Sequence, residues 1–212
     1  MEKKQKLKLS DIWYYYKGYV LIAVIVIVGI AYTVYTNINE VTTDILIDCA
    51  SDKCFSAEQA RILNDDLNNS GIVPDIDGDG KGIAQINAYQ TGTSGDSKVD
   101  AQNTEVTQVK MSVGESAIII TDESVINMYA YYDMFKDITH LAQTFGAQDV
   151  IKDVNGKVIA INIDNCQWLA RNGIKTDGLY LTLRIPSADL EDDKQLMKQF
   201  ENAEQVAEYI LK

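Results

Sequence analysis

The residues best suited to chemistry in this chain are Asp75, Asp77 and Asp79, which alternate through Asp75-Ile76-Asp77-Gly78-Asp79-Gly80-Lys81-Gly82. Carboxylates at positions 1, 3 and 5 with glycine at position 6 gather hard oxygen ligands around a sharp turn, the pattern of a calcium loop. The same residues also suit an Asp/Gly-rich turn between a helix and a strand, where both types are favoured for backbone reasons alone. Position 12, the place of a bidentate carboxylate in such loops, is Ile86, so a distant carboxylate would have to complete the shell. Calcium held here would brace the loop; it would not catalyse.

A second pair is Tyr180 and Arg184, on the polar side of an alternating segment from Gly178 to Ile185. A buried arginine beside a tyrosine can clamp an anionic ligand through paired N–H donors. The alternative is a solvent-facing strand that these two residues decorate. Catalytic sets are thin. His140 is the one histidine, and nothing around it or Cys166 marks a thiol hydrolase. No Gly-x-Ser-x-Gly elbow occurs, and Gly78 to Gly82 lacks the spacing and Lys-Ser/Thr ending of a phosphate loop. Neighbouring acids such as Asp65-Asp66 and Glu191-Asp192-Asp193 point apart on a helix and so do not make a glycosidase pair. The expectation is a protein that is not an enzyme.

The elements that must position these residues alternate between strand and helix. Thr43–Cys49 is a short apolar run suited to a buried strand, and Ser56-Ala57-Glu58-Gln59 is a capping box. Ala60, Leu63 and Leu67 then recur at helical spacing until Gly71 stops the helix. A strand is expected over Ile83–Tyr89, and a mobile loop over Thr91–Asn103, which is rich in Gly, Ser, Thr and Asp. Ala117-Ile118-Ile119-Ile120 is apolar throughout, as in a sheet covered on both faces, and Asp122 can cap the next helix, through Val125, Met128, Tyr129 and Tyr132. There Tyr129, Tyr132 and Phe135 fall near one stripe and are expected in the core, with Tyr131 at the surface. Asn155-Gly156 signals a two-residue hairpin between Val150–Val154 and Val158–Ile163. Asp164 is expected to cap a short helix with Trp168 and Leu169, ended by Gly173. In Gly178–Ile185, Leu179, Leu181, Leu183 and Ile185 take one face and Tyr180, Thr182 and Arg184 the other. A last helix, from about Asp192 to Leu211, carries Leu196, Phe200, Ala203, Val206, Ala207 and Ile210 inward. The class is α/β with a mixed sheet.

Ahead of this domain, residues 18–36 are uncharged and include Val20 through Val28, all apolar. At about 1.5 Å per residue they span roughly 28 Å, which predicts a transmembrane helix. Lys3, Lys4, Lys6, Lys8 and Lys17 against Glu2 and Asp11 leave residues 1–17 at +3; with the chain at −12, residues 37–212 carry −15. The basic flank predicts a cytoplasmic N-terminus and an extracytoplasmic, cell-surface domain. Trp13, Tyr14, Tyr15 and Tyr16 inside, and Tyr32 and Tyr35 outside, take aromatic-belt positions. A cleaved signal is the competing reading, through Gly29-Ile30-Ala31, but apolar character continues past it. The expected organisation is a basic tail over 1–17, a single-pass helix over 18–36 contacting the bilayer, and a domain over 37–212. The acidity of that domain excludes nucleic acid as a partner. Cys49 and Cys54 are spaced to close a small loop, leaving Cys166 as a thiol; equally, all three can stay unpaired.

Leu9-Ser10-Asp11-Ile12-Trp13-Tyr14-Tyr15-Tyr16-Lys17 before an apolar helix, Ser116-Ala117-Ile118-Ile119-Ile120-Thr121-Asp122 before another, and Gly173-Ile174-Lys175-Thr176-Asp177-Gly178-Leu179-Tyr180-Leu181 form a recognisable layout. It resembles the membrane-anchored extracytoplasmic proteins of Gram-positive anaerobes with a type 2 periplasmic-binding-protein-like fold. The resemblance covers most of the chain and implies a domain that recognises a small solute, or an accessory domain beside another envelope protein. In the larger transport relatives two lobes close over a solute; here the C-terminal part is short, which implies an incomplete second lobe. The alternative is an interaction module that keeps the fold without a small-molecule ligand. The Asp75 loop in turn resembles EF-hand and dockerin loops, and that resemblance implies a metal contact from the Lys81 backbone carbonyl.

Overall fold

Short runs rich in Ile and Leu form the centre of a six-stranded mixed sheet in the computed structural model, which describes residues 9–38, 42–91 and 96–212. The chain divides into two units, Met1–Val41 and Thr42–Lys212. The second unit carries β1 (Ile45–Ser51), α2 (Ala57–Asn69), β2 (Ala84–Gln90), α3 (Ser97–Val113), β3 (Ile118–Asp122), α4 (Glu123–Ala130), α5 (Thr139–Phe145), β4 (Val150–Lys152), β5 (Val158–Asn162), α6 (Gln167–Arg171), β6 (Leu179–Leu183) and α7 (Lys194–Leu211). The strand order is β2-β1-β3-β6-β5-β4. β1 is parallel to β2 and to β3, with Ile47 opposite both Ile86 and Ile118. β6, β5 and β4 then follow as antiparallel neighbours, Ile120 pairing Leu181.

Both faces are covered because the sequence alternates two sets of side chains through the central strands. One face sends Ile45, Ile47, Cys49, Ile118, Ile120, Leu179, Leu181 and Leu183 into a large core with α2, α5, α6 and α7. The other sends Ile119, Ile159 and Tyr180 against Met111 of α3 and Ile126 of α4. The capping box of α2 forms as expected: Ser56 Oγ accepts from Gln59 N and Gln59 Oε1 accepts from Ser56 N, at 3.2 and 2.9 Å. Ala60, Leu63 and Leu67 are the buried stripe.

The first unit holds α1 (Leu9–Ile38). It contains the segment expected to cross a membrane, and that expectation is corrected: among the described residues no helix is long and apolar enough to do so. The single-pass expectation falls with it. Residues 1–8 of the basic tail and the side chains of Tyr14, Tyr15 and Tyr35 lie outside the described residues.

Four further expectations change. The loop placed at Thr91–Asn103 is, from Ser97, the start of α3; residues 92–95 lie outside the described residues. The helix escapes periodicity because it buries only Thr107 and Met111. Asp164 does not cap α6, whose N-cap is Cys166 without a side-chain bond. Instead Asp164 accepts from the N–H groups of Gly178 and Leu179, at 2.6 and 3.2 Å, and pins the start of β6. The β4–β5 turn is longer than two residues, since the Asp153 carboxylate accepts from both Asn155 and Lys157 N–H. Tyr132 lies outside the core, 69% exposed, because α4 ends at Ala130.

Candidate functional site

The Asp75 loop joins α2 to β2 at the amino end of the sheet. Its carboxylates first organise their own backbone. Asp75 accepts from Gly78 N and Gly80 N at 2.7 and 2.9 Å, Asp77 from Asp79 N at 2.9 Å, and Asp79 from Lys81 N at 2.8 Å. Gly82 closes the loop, because a Cβ there would overlap the Val73 carbonyl. The missing distant carboxylate is Asp44, which sequence reasoning did not single out. It stands just before β1, is buried, and accepts from Ile76 N, Asp77 N and Ile83 N at 2.7, 3.2 and 2.8 Å. Its only sequence signal was an acid at the mouth of an apolar strand.

Asp44, Asp75 and Asp77 bring carboxylate oxygens within 4.8 Å of one another, a cluster that could hold a metal ion. Desolvation works against the charge of Asp75, yet the Gly78 and Gly80 amides hold it below the usual carboxylate range. Asp77 goes the other way. The Asp79 N–H favours its charged form, but desolvation and the carboxylates of Asp79, Asp44 and Asp75 outweigh it and push it up. That mutual repulsion is what a cation between them would relieve. Asp79 and the Lys81 N–H stay in the turn as neighbours of this cluster.

At the other end of β1, where the carboxyl ends of β1 and β3 meet, lies a cleft of about 670 Å³. Asp52, Lys53, Thr91, Asp122, Glu123 and Tyr180 are among its lining residues. The order β2-β1-β3 makes this the point where the chain, having built β2 on one side of β1, crosses to build β3 on the other. At such a switch point the loops diverge and leave a crevice. Ser51 Oγ donates to Asp122 at 2.8 Å and ties the two strand ends together. Asp122 also accepts from Ser124 N and Val125 N, capping α4 as expected. Desolvation opposes its charge, but the hydrogen bonds from Ser124, Ser51 and the α4 amides lower its pKa.

The structure does not bring Tyr180 and Arg184 together on one ligand-facing surface. Both are buried, Arg184 to 5% exposure. Tyr180 donates its hydroxyl to Asp149 at 3.0 Å. Arg184 donates to the carbonyls of Met111 and Lys110, at 2.5 and 3.5 Å, and closes the carboxyl end of α3. Burial pulls its pKa below the ordinary value, with Asp48 opposing. The cysteines are free, and the Cys54 thiol donates to the Cys49 carbonyl at 2.9 Å. His140 is engaged by Glu204 at 2.6 Å, which also takes Lys136 at 2.7 Å.

No protein-family model matches the chain, and neither a curated protein nor a solved structure shows significant similarity to it.

Proposed function

We propose that residues 42–212 form a non-catalytic binding domain that takes a small solute in the cleft at the carboxyl ends of β1 and β3. The observation that carries this reading is the coincidence of cleft and switch point. Its volume lies in the range of small-molecule sites, and its lining mixes carboxylates, an amine, hydroxyls and an aromatic ring. The resemblance to the type 2 periplasmic-binding-protein-like fold points the same way, on a single unit instead of between two closing lobes.

The Asp75 loop is the domain's calcium brace. Asp75 and Asp77 supply two carboxylates, Asp44 replaces the acid missing at position 12, and oxygen ligands of this kind suit calcium. Asp79 and the Lys81 carbonyl are the remaining candidates of the loop. Calcium would stabilise the amino end of β1, the end of that strand opposite the cleft.

A thermal-shift experiment on the full chain, with calcium and with sugars, amino acids, peptides and organic acids, tests both parts. A rise of several degrees with calcium supports the brace, and a rise with one solute class supports the binding site. Silence from every solute leaves the second reading, an interaction domain. That reading has its own observation: Met128, Tyr131 and Tyr132 are 63, 87 and 69% exposed at the end of α4.

A further inference from the structure

Three of the side chains that line the switch-point cleft are carboxylates. Asp52 follows the end of β1, and Asp122 and Glu123 stand at the junction of β3 and α4. Among the described residues, the only cationic side chain lining it is Lys53, whose amine faces Asp177 at 3.9 Å. Asp122 is held in its charged form by Ser51, Ser124 and the first amides of α4. Those same contacts matter twice, since the N–H groups of Ser124 and Val125 that would otherwise receive an anion are taken by Asp122 itself. Glu123 is exposed and makes no hydrogen bond or ion pair among the described residues. Tyr180, whose hydroxyl is taken by Asp149, also lines the cleft. Carboxylates beside an aromatic ring suit an ammonium group, by Coulomb attraction and by the negative face of the ring. The net charge of −12 draws cations toward the molecule and repels anions.

We propose that the solute bound in this cleft carries a positively charged amine, primary or quaternary, seated between Glu123, Asp52 and the Tyr180 ring. Thr91, Ser124 and Asn127, also on the lining, then hydrogen-bond the remainder of the molecule. This inference rests on the solute-binding reading and names its ligand class.

The test is a thermal-shift and calorimetric comparison of the full chain with putrescine, choline, lysine and glucosamine against glucose and glutarate. Calcium and ionic strength are held constant throughout. The expected result is a rise of several degrees with at least one amine, none with glucose or glutarate, and a response that weakens as salt increases. The Glu123→Gln variant, altered at an exposed side chain, should keep its own melting point and lose at least tenfold in amine affinity. Asp52→Asn should weaken binding in the same direction. Binding of glucose or glutarate without any amine overturns the ammonium class while the binding reading stands. Amine binding left unchanged by both variants overturns the assignment to this cleft. Silence from all six compounds overturns the inference and the solute-binding reading together.

Discussion

Asp44 carries more of this structure than its place in the sequence suggests. One buried carboxylate accepts from three backbone N–H groups and fastens the Asp75 loop to the start of β1. Asp44→Ala leaves those donors without their acceptor, and we expect it to lower stability by about 3 kcal/mol in urea denaturation without calcium. It should also abolish any calcium-induced rise in melting temperature. Asp77→Asn, at an exposed position, should abolish the calcium response with little change in the calcium-free protein. At Asp164 desolvation is outweighed by hydrogen bonds from Gly178, Asn162 and Leu179, and its folded-state pKa is depressed. A depressed carboxylate contributes stability that is present above its unfolded value, about 4, and lost as pH falls through the folded value. Acid titration of stability should therefore fall less steeply below about pH 4 in Asp164→Asn than in the parent chain.

Among the elements, α3 is weakly anchored for its length. Of its residues only Thr107 and Met111 are buried, and it is held at its end by Arg184 on the carbonyls of Lys110 and Met111. Amide hydrogen exchange should therefore be faster in α3 than in β1 or β3, whose strands lie in the centre of the sheet. Gly114 ends the helix with a φ of +80°, and a Cβ there would lie 2.8 Å from the Arg184 guanidinium. Gly114→Ala should cost about 2 kcal/mol, combining a strained left-handed backbone with displacement of that guanidinium. A chevron or equilibrium urea series would measure it. The contrast with α2 shows why one helix was legible and the other was not. Ala60, Leu63 and Leu67 imprint helical periodicity because α2 packs on a deep core, whereas α3 packs few side chains and leaves little pattern.

For the whole molecule, the division at Val41 and Thr42 predicts that residues 42–212 fold without what precedes them. A circular dichroism spectrum of that fragment should show mixed helix and strand with a cooperative melt; an unfolded spectrum would sink the claim. What the sequence by itself determined was local: the mixed α/β class, the α2 capping box, the Asp122 cap, the apolar β3 and the exposed Tyr131 all follow from short-range spacing and hydrogen bonding. The transmembrane expectation was local too, resting on the composition of residues 18–36, and no helix among the described residues meets the length and apolarity needed. Tertiary structure alone decided what depends on partners distant in the chain. It set Asp44 against Asp75 and Asp77, tied Ser51 to Asp122 across 71 positions, and buried both faces of β6 so that Tyr180 and Arg184 turned inward to different partners. The reason is physical. Periodicity reports which side of an element faces a core, but strand order decides which distant residues meet at a strand's end, and the cleft exists only because β3 was laid down on the far side of β1 from β2.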